Sequence, residues 1–140
     1  MKTWIAYAIL SMIFAGFTSV IAKMGLTGIS GELGLTVRTV MVFVFVLLFA
    51  AVFVSPGELR SMSSSNYLWL GISAVTTTLS WIFYYKALKD GEVSTIALID
   101  KGSIIIAVLG GVFILREQMT MKAVIGGAMM LAGLFIIAKK

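Results

Sequence analysis

Long apolar runs constrain the fold of this chain more than any other feature of its sequence. The stretch 35–54 is apolar except for Thr36, Arg38 and Thr39. A helix of about 20 mostly apolar residues crosses a hydrocarbon core of roughly 30 Å. Over the whole chain, 60% of residues are hydrophobic and 12% are charged, too little polar surface for a soluble domain of this size. The sequence therefore predicts an all-α integral membrane protein.

The apolar runs and the residues between them predict five transmembrane helices in a single domain covering 1–140. Pro56 and Gly57 end the second run, because proline cannot continue the helical hydrogen-bond ladder. Asp100 and Lys101 interrupt the fourth run, but apolar residues continue on both sides. The predicted spans are 3–22, 35–54, 67–88, 93–115 and 121–138.

The composition also excludes several classes of function. The chain has no cysteine and no histidine, so it lacks disulfides, thiolate metal ligands and the commonest metal ligand. We therefore expect no cofactor, no metal and no enzymatic activity. The net charge of +5 would suggest nucleic acid for a soluble protein. In a membrane protein, basic residues near helix ends instead act as topology signals and contact the lipid bilayer, so no nucleic-acid partner is expected.

The orientation of the chain in the membrane depends on how basic residues are distributed between the two sides. Five spans place Lys23, Arg38, Lys86, Lys89, Lys101, Lys139 and Lys140 on the C-terminal side, and Lys2, Arg60, Arg116 and Lys122 on the other. The positive-inside rule then favours a cytoplasmic C-terminus. Three of the residues on the C-terminal side, Lys23, Arg38 and Lys101, are at or inside spans, however. Without them each side has four basic residues. The alternatives are a fixed cytoplasmic C-terminus and insertion in both orientations.

Several short segments are distinctive in their order and spacing. They are Ala22-Lys23-Met24-Gly25-Leu26, Thr36-Val37-Arg38-Thr39, Tyr84-Tyr85-Lys86-Ala87-Leu88, Ile99-Asp100-Lys101-Gly102-Ser103 and Arg116-Glu117-Gln118-Met119-Thr120, followed by Gly126 and Gly133. This pattern covers nearly the whole chain and resembles the drug/metabolite transporter superfamily. In particular, it resembles one EamA-type repeat of the short five-span branch found in bacteria and archaea.

The resemblance implies an arrangement of two chains. Larger members of the superfamily contain two repeats of opposite topology with the substrate site between them. One repeat therefore implies an antiparallel homodimer, a small-molecule substrate and a multi-pass location in the plasma (inner) membrane. The related small multidrug resistance proteins have four spans and a glutamate within the first. The segment 3–22 has no carboxylate, so their proton-coupling chemistry is not transferred to this chain.

Asp100 and Lys101 are the most informative candidate site residues. Asp100 lies about 10 Å into its predicted span at 1.5 Å per residue, where ionisable groups cost about 2.5–3.5 kcal/mol. Neighbouring side chains in a regular helix point apart and do not pair. Each residue then needs a partner on another span, or Gly102 loosens the helix. A functional site and a structural ion pair both remain open.

Four further residues complete the predicted site. Arg38 and Lys86, with Lys23, form either a basic vestibule for anionic solutes or a set of snorkelling side chains, and Arg38 alternatively pairs with Asp100. Thr77 and Trp81, one helical turn apart, line a small cavity. In the alternative, the threonine hydroxyl bonds to the carbonyl four residues earlier in its own helix.

Two functions follow as hypotheses. The first is a small-solute transporter that works by alternating access, with its site between two chains and its cavity lined by the first, third and fourth spans. The second is a non-transporting scaffold or accessory subunit of a larger membrane complex.

Overall fold

The computed structural model describes residues 3–138, which contain seven helices and no strand. The all-α prediction is therefore confirmed for the described residues. They are α1 (Thr3–Gly25), α2 (Gly31–Phe53), α3 (Pro56–Arg60), α4 (Ser64–Asp90), α5 (Val93–Asp100), α6 (Ser103–Phe113) and α7 (Met121–Ala138).

Three apolar helical segments in the described part of the chain are long enough to cross a membrane. They are α1, α2 and the run Val93–Phe113 that combines α5 and α6. The apolar part of α7 is shorter, and α4 is not among the three although it has 27 residues. Serine and threonine side chains between residues 73 and 80 make α4 less apolar. The chain is thus a multi-pass helical membrane protein, and the count of five crossings remains a prediction.

The polar segment after α2 contains a short helix that the sequence analysis did not predict. Ser55 caps α3: its hydroxyl accepts a hydrogen bond from the Glu58 backbone N–H at 3.3 Å. The Glu58 carboxylate in turn accepts one from the Ser55 N–H at 2.9 Å. This reciprocal arrangement is a capping box, and Pro56 suits the first helical position. The same proline that ends one helix therefore begins the next.

The helices form two units. The central unit comprises residues 21–90, and the terminal unit comprises residues 1–20 and 91–140, of which 3–20 and 91–138 are described. In the central unit α2 packs along α4, and in the terminal unit α7 packs against α5 and α6. Among the described residues, the buried hydrophobic side chains are Leu26, Tyr85 and Leu88. Most apolar side chains are exposed in each unit, as expected for helices that face lipid.

The fourth predicted span is interrupted by a tightened turn. Gly102 N–H donates to the Ile99 carbonyl at 2.9 Å, and Ile105 N–H donates to the Gly102 carbonyl at 3.0 Å. These bonds reach back three residues and are typical of a 3₁₀ turn. The sequence left open whether Gly102 loosens the helix; in the structure the helix is interrupted there by a tightened turn, with α5 ending at Asp100 and α6 beginning at Ser103.

Candidate functional site

The pairing of α2 with α4 depends on a glycine at the start of α2. A Cβ atom at Gly31 would lie 2.7 Å from the backbone oxygen of Tyr85, closer than van der Waals contact allows. Next to it, the Ser30 hydroxyl accepts a hydrogen bond from the Leu33 N–H at 3.2 Å and caps the helix. The first turn of α2 is therefore fixed directly against the last turns of α4.

A groove runs between α2 and α4 within the central unit and has a volume of about 480 Å³. We call it the α2–α4 groove. Its lining residues are Glu32, Leu35, Thr36, Thr39, Val40, Thr78, Ile82 and Lys86. Residues 78, 82 and 86 lie one helical turn apart on α4, and those of α2 recur at helical spacing, so each helix contributes a continuous row. A groove with charged and hydroxyl side chains thus lies between two hydrophobic helices.

The hydroxyl groups in the α2–α4 groove differ in their availability. Thr36 donates to the Glu32 carbonyl at 2.8 Å, and Thr78 donates to the Ala74 carbonyl at 2.8 Å. The Thr39 hydroxyl makes no hydrogen bond within the central unit. Thr39 lies within the predicted span 35–54, where a hydroxyl gains from a partner, so it is the groove hydroxyl available to a ligand.

Lys86 is paired within the α2–α4 groove. Its Nζ lies 3.5 Å from Glu32 Oε1, and the two side chains are 55% and 62% exposed. The groove thus has one charge of each sign, whereas the sequence analysis considered only the basic residue. Glu32 and Thr39 were not predicted as site residues. They lie opposite residues 78–86 because of the register in which α2 packs on α4, and the sequence alone does not give that register. The spacing of residues 32, 36 and 39 was the one signal available.

Arg38 interacts with aromatic side chains. Its guanidinium carbon lies 4.7 Å from the centre of the Trp81 ring and 5.9 Å from that of Tyr85. Both distances fall within the range of cation–π interactions. Trp81 is half-buried and Tyr85 is buried. Asp100 pairs with Lys101 within the terminal unit, and the alternative Arg38–Asp100 ion pair, which would join the two units, stays a prediction.

The hydroxyl of Thr77 forms a hydrogen bond within its own helix, which was the alternative to lining a cavity. It donates to the Ser73 carbonyl, four residues earlier, at 2.8 Å. Thr77 does not line the α2–α4 groove, and its neighbour Thr78 does. Trp81 contacts Arg38 and, like Thr77, does not line the groove. The groove also lies between α2 and α4, whereas the sequence analysis placed the substrate cavity among the first, third and fourth spans.

Asp100 and Lys101 lie in the terminal unit and pair with each other. The distance from Lys101 Nζ to Asp100 Oδ2 is 3.7 Å, and the side chain of Lys101 is 54% exposed and that of Asp100 40% exposed. In a regular helix neighbouring side chains point apart, so the sequence predicts partners on other spans for these two residues. The pair forms because the helix is not regular here: Lys101 follows the last residue of α5.

Lys23 and Lys89 join the ends of two helices in the central unit. Lys23 Nζ donates to the carbonyls of Leu88 at 2.6 Å and Lys89 at 2.9 Å. Lys89 Nζ donates to the Leu26 carbonyl at 3.2 Å. Carbonyl groups at helix C-termini lack intrahelical donors and carry partial negative charge. The two lysines thus cap the ends of α4 and α1 reciprocally, which the sequence analysis did not anticipate.

Apolar helices of membrane length and a groove that contains a few charged and hydroxyl side chains beside one of them are features of a membrane transporter. Residues 2–139 match the EamA-like transporter family, and the chain belongs to this family. The resemblance drawn from the sequence is therefore confirmed. The chain is also similar to a Sinorhizobium sp protein named "Uncharacterized transporter in cobO 3'region", with 31% identity over 140 residues, 98% of this chain and 97% of that protein. No solved structure matches the chain.

Proposed function

We propose that this protein moves a small polar solute across the plasma (inner) membrane by alternating access. The observation that carries the proposal is the α2–α4 groove, which places Glu32, Thr39 and Lys86 between two hydrophobic helices. Polar and charged groups within membrane segments are costly and usually face a wet cavity or a substrate path. A volume of about 480 Å³ lies within the range typical of small-molecule sites.

The residues predicted from the sequence also have proposed roles. Lys86 and Arg38, the latter held by Trp81, would bind polar groups of the solute, whereas the Thr77 hydroxyl stays bonded to its own helix. Asp100 and Lys101 would couple solute movement to conformational change by exchanging their mutual contact for other partners. The 3₁₀ turn at Gly102 supports this role, because such turns inside a helix often mark a hinge.

We expect Thr39→Val to lower solute flux about fivefold, the effect of losing one hydrogen bond of roughly 1 kcal/mol. Thr36→Val is the matched control, since the Thr36 hydroxyl already bonds to its own helix. Flux is measured in proteoliposomes with radiolabelled amino acids, organic acids and sugars. Equal flux in the two variants would contradict the role of Thr39. If wild-type liposomes take up no member of this panel, the accessory-subunit hypothesis is favoured instead.

We further propose that two copies form an antiparallel homodimer and that each chain inserts in both orientations. The even count of basic residues outside the spans supports this, although Lys2, Lys139 and Lys140 lie outside the described residues. Lys23 and Lys89 bind helix carbonyls, and Lys86 pairs with Glu32. Their charges are thus partly compensated, which weakens them further as orientation signals.

A cysteine added after Lys140 tests this arrangement, because the chain has no other thiol. We expect a membrane-impermeant maleimide to label a substantial fraction of molecules from each side of the membrane. Two or three lysines added at one end should confine the labelling to one side. Labelling of the unmodified chain from one side only would exclude dual topology, and native mass spectrometry that shows only monomer would exclude the dimer.

A further inference from the structure

The Arg38 side chain is held by two aromatic rings in the central unit. Trp81 and Tyr85 lie one helical turn apart on α4, and the guanidinium carbon is 4.7 Å and 5.9 Å from their ring centres. A guanidinium has five N–H donors, which lie in its plane. Ring contacts of this kind use the face of the group and leave its N–H edge available for hydrogen bonds.

The charge of Arg38 is not neutralised within the central unit. The carboxylate of Glu32 pairs with Lys86, and that of Glu58 accepts from the Ser55 backbone. Arg38 makes no hydrogen bond or ion pair with residues 21–90. Its position seven residues after Gly31 places it about 10 Å along α2 from the start of the helix, at 1.5 Å per residue. Arg38 is the fourth residue of the predicted span 35–54, about 5 Å from its start, and an arginine without an anionic partner is costly inside a span.

We infer that Arg38, positioned by Trp81 and Tyr85, forms a binding site for an oxyanion, either a carboxylate or a phosphate group. The planar guanidinium edge matches two oxygen atoms of such a group and binds them through paired, charge-assisted hydrogen bonds. The rings restrict the side chain before the ligand arrives, which lowers the entropy lost on binding. A cationic ligand is disfavoured, since the positive charge of Arg38 itself occupies the ring surface.

The oxyanion has two possible sources, which share this chemistry. One is a carboxylate or phosphate group of a soluble solute, and the other is the phosphate of a lipid headgroup. The first source would make Arg38 part of the proposed transport site, so this assignment rests on the proposed function. The second source would make Arg38 a lipid site at the edge of the membrane. Anion binding is therefore measured separately from solute flux, so that the binding site and the proposed transport function are tested independently.

Trp81 provides a direct reporter of binding. The chain has three tryptophans, so the double variant Trp4→Phe/Trp69→Phe leaves Trp81 as the sole indole. In neutral detergent, this protein is titrated with sodium acetate or sodium phosphate, with sodium chloride used to hold the ionic strength constant. In a second arm, its emission is compared in phosphatidylcholine nanodiscs with and without phosphatidylglycerol. A saturable response to acetate or phosphate indicates a soluble anion, and a response to phosphatidylglycerol alone indicates lipid.

Substitutions at Arg38 decide whether the response belongs to this site. Arg38→Gln should abolish it, and Arg38→Lys should weaken it at least about tenfold, because a lysine lacks the planar paired donors. Arg60→Gln is the control, since Arg60 is an exposed arginine in α3 and should leave the response unchanged. Thermal unfolding verifies that each variant is folded. If Arg38→Gln does not fold, the comparison of Arg38→Lys with the parent protein decides the question.

The inference is overturned if no anion or lipid changes Trp81 emission, or if both Arg38 variants respond as the parent does. Solute flux is measured separately and can fail independently. Anion binding without flux would contradict the proposed transport but leave the site intact. Flux without anion binding at Arg38 would contradict the site alone.

Discussion

We expect Gly31→Ala to lower the free energy of unfolding by about 1–3 kcal/mol, the usual effect of overpacking a tight contact. The added methyl group would lie 2.7 Å from the Tyr85 carbonyl oxygen and 3.1 Å from its carbon. Both are backbone atoms of α4, so no side-chain rotation relieves the clash and α2 must move away. Equilibrium unfolding in mixed detergent micelles, followed by circular dichroism, measures the change.

Gly71→Ala is the matched control for this substitution. Gly71 lies in α4, and no atom lies within 4 Å of a Cβ built there. Alanine in an open helical position gains about 0.5–1 kcal/mol over glycine, so this variant should be neutral or slightly more stable. If the two variants unfold alike, α2 and α4 do not approach as closely as the structure shows.

The second large effect concerns Lys23, whose ammonium group binds two carbonyls at the end of α4. Lys23→Met keeps a long, unbranched side chain but removes the ammonium group, so the carbonyls of Leu88 and Lys89 lose the hydrogen bonds that it donates. Hydrogen bonds to charged groups contribute about 1.5–3 kcal/mol, and we expect a loss of stability in this range. The same unfolding measurement checks it.

Lys122→Met is the control, because Lys122 is an exposed lysine in the first turn of α7. An exposed substitution of this kind should change stability by less than about 0.5 kcal/mol. The double variant Lys23→Met/Lys89→Met then tests whether the two lysines act together. A coupling of about 0.5–3 kcal/mol is typical of residues in one hydrogen-bond network. Strictly additive effects would show that the two caps are independent.

The sequence by itself determined the class of the protein and most of its helices. Runs such as 3–22 and 35–54 can bury their backbone polar groups in lipid only as helices, so their length and composition are sufficient evidence. An interruption of the helix at Gly102 was one of the two alternatives that the sequence offered, because Asp100 and Lys101 interrupt an apolar run at that point. The helix α3 was predictable in principle from Ser55 and Glu58, whose spacing is that of a capping box. Family membership followed from local segments in a fixed order.

The partners of the charged side chains were decided by tertiary structure alone. Long lysine and arginine side chains reach many positions, so a sequence does not show whether they end in water, at a carboxylate, at a carbonyl or on an aromatic ring. The packing of α2 on α4 at Gly31 brings Lys86 to Glu32 and Arg38 to Trp81. The turn between α1 and α2 brings Lys23 to the end of α4. These contacts depend on helix register, and one turn of sliding along α4 would replace every one of them.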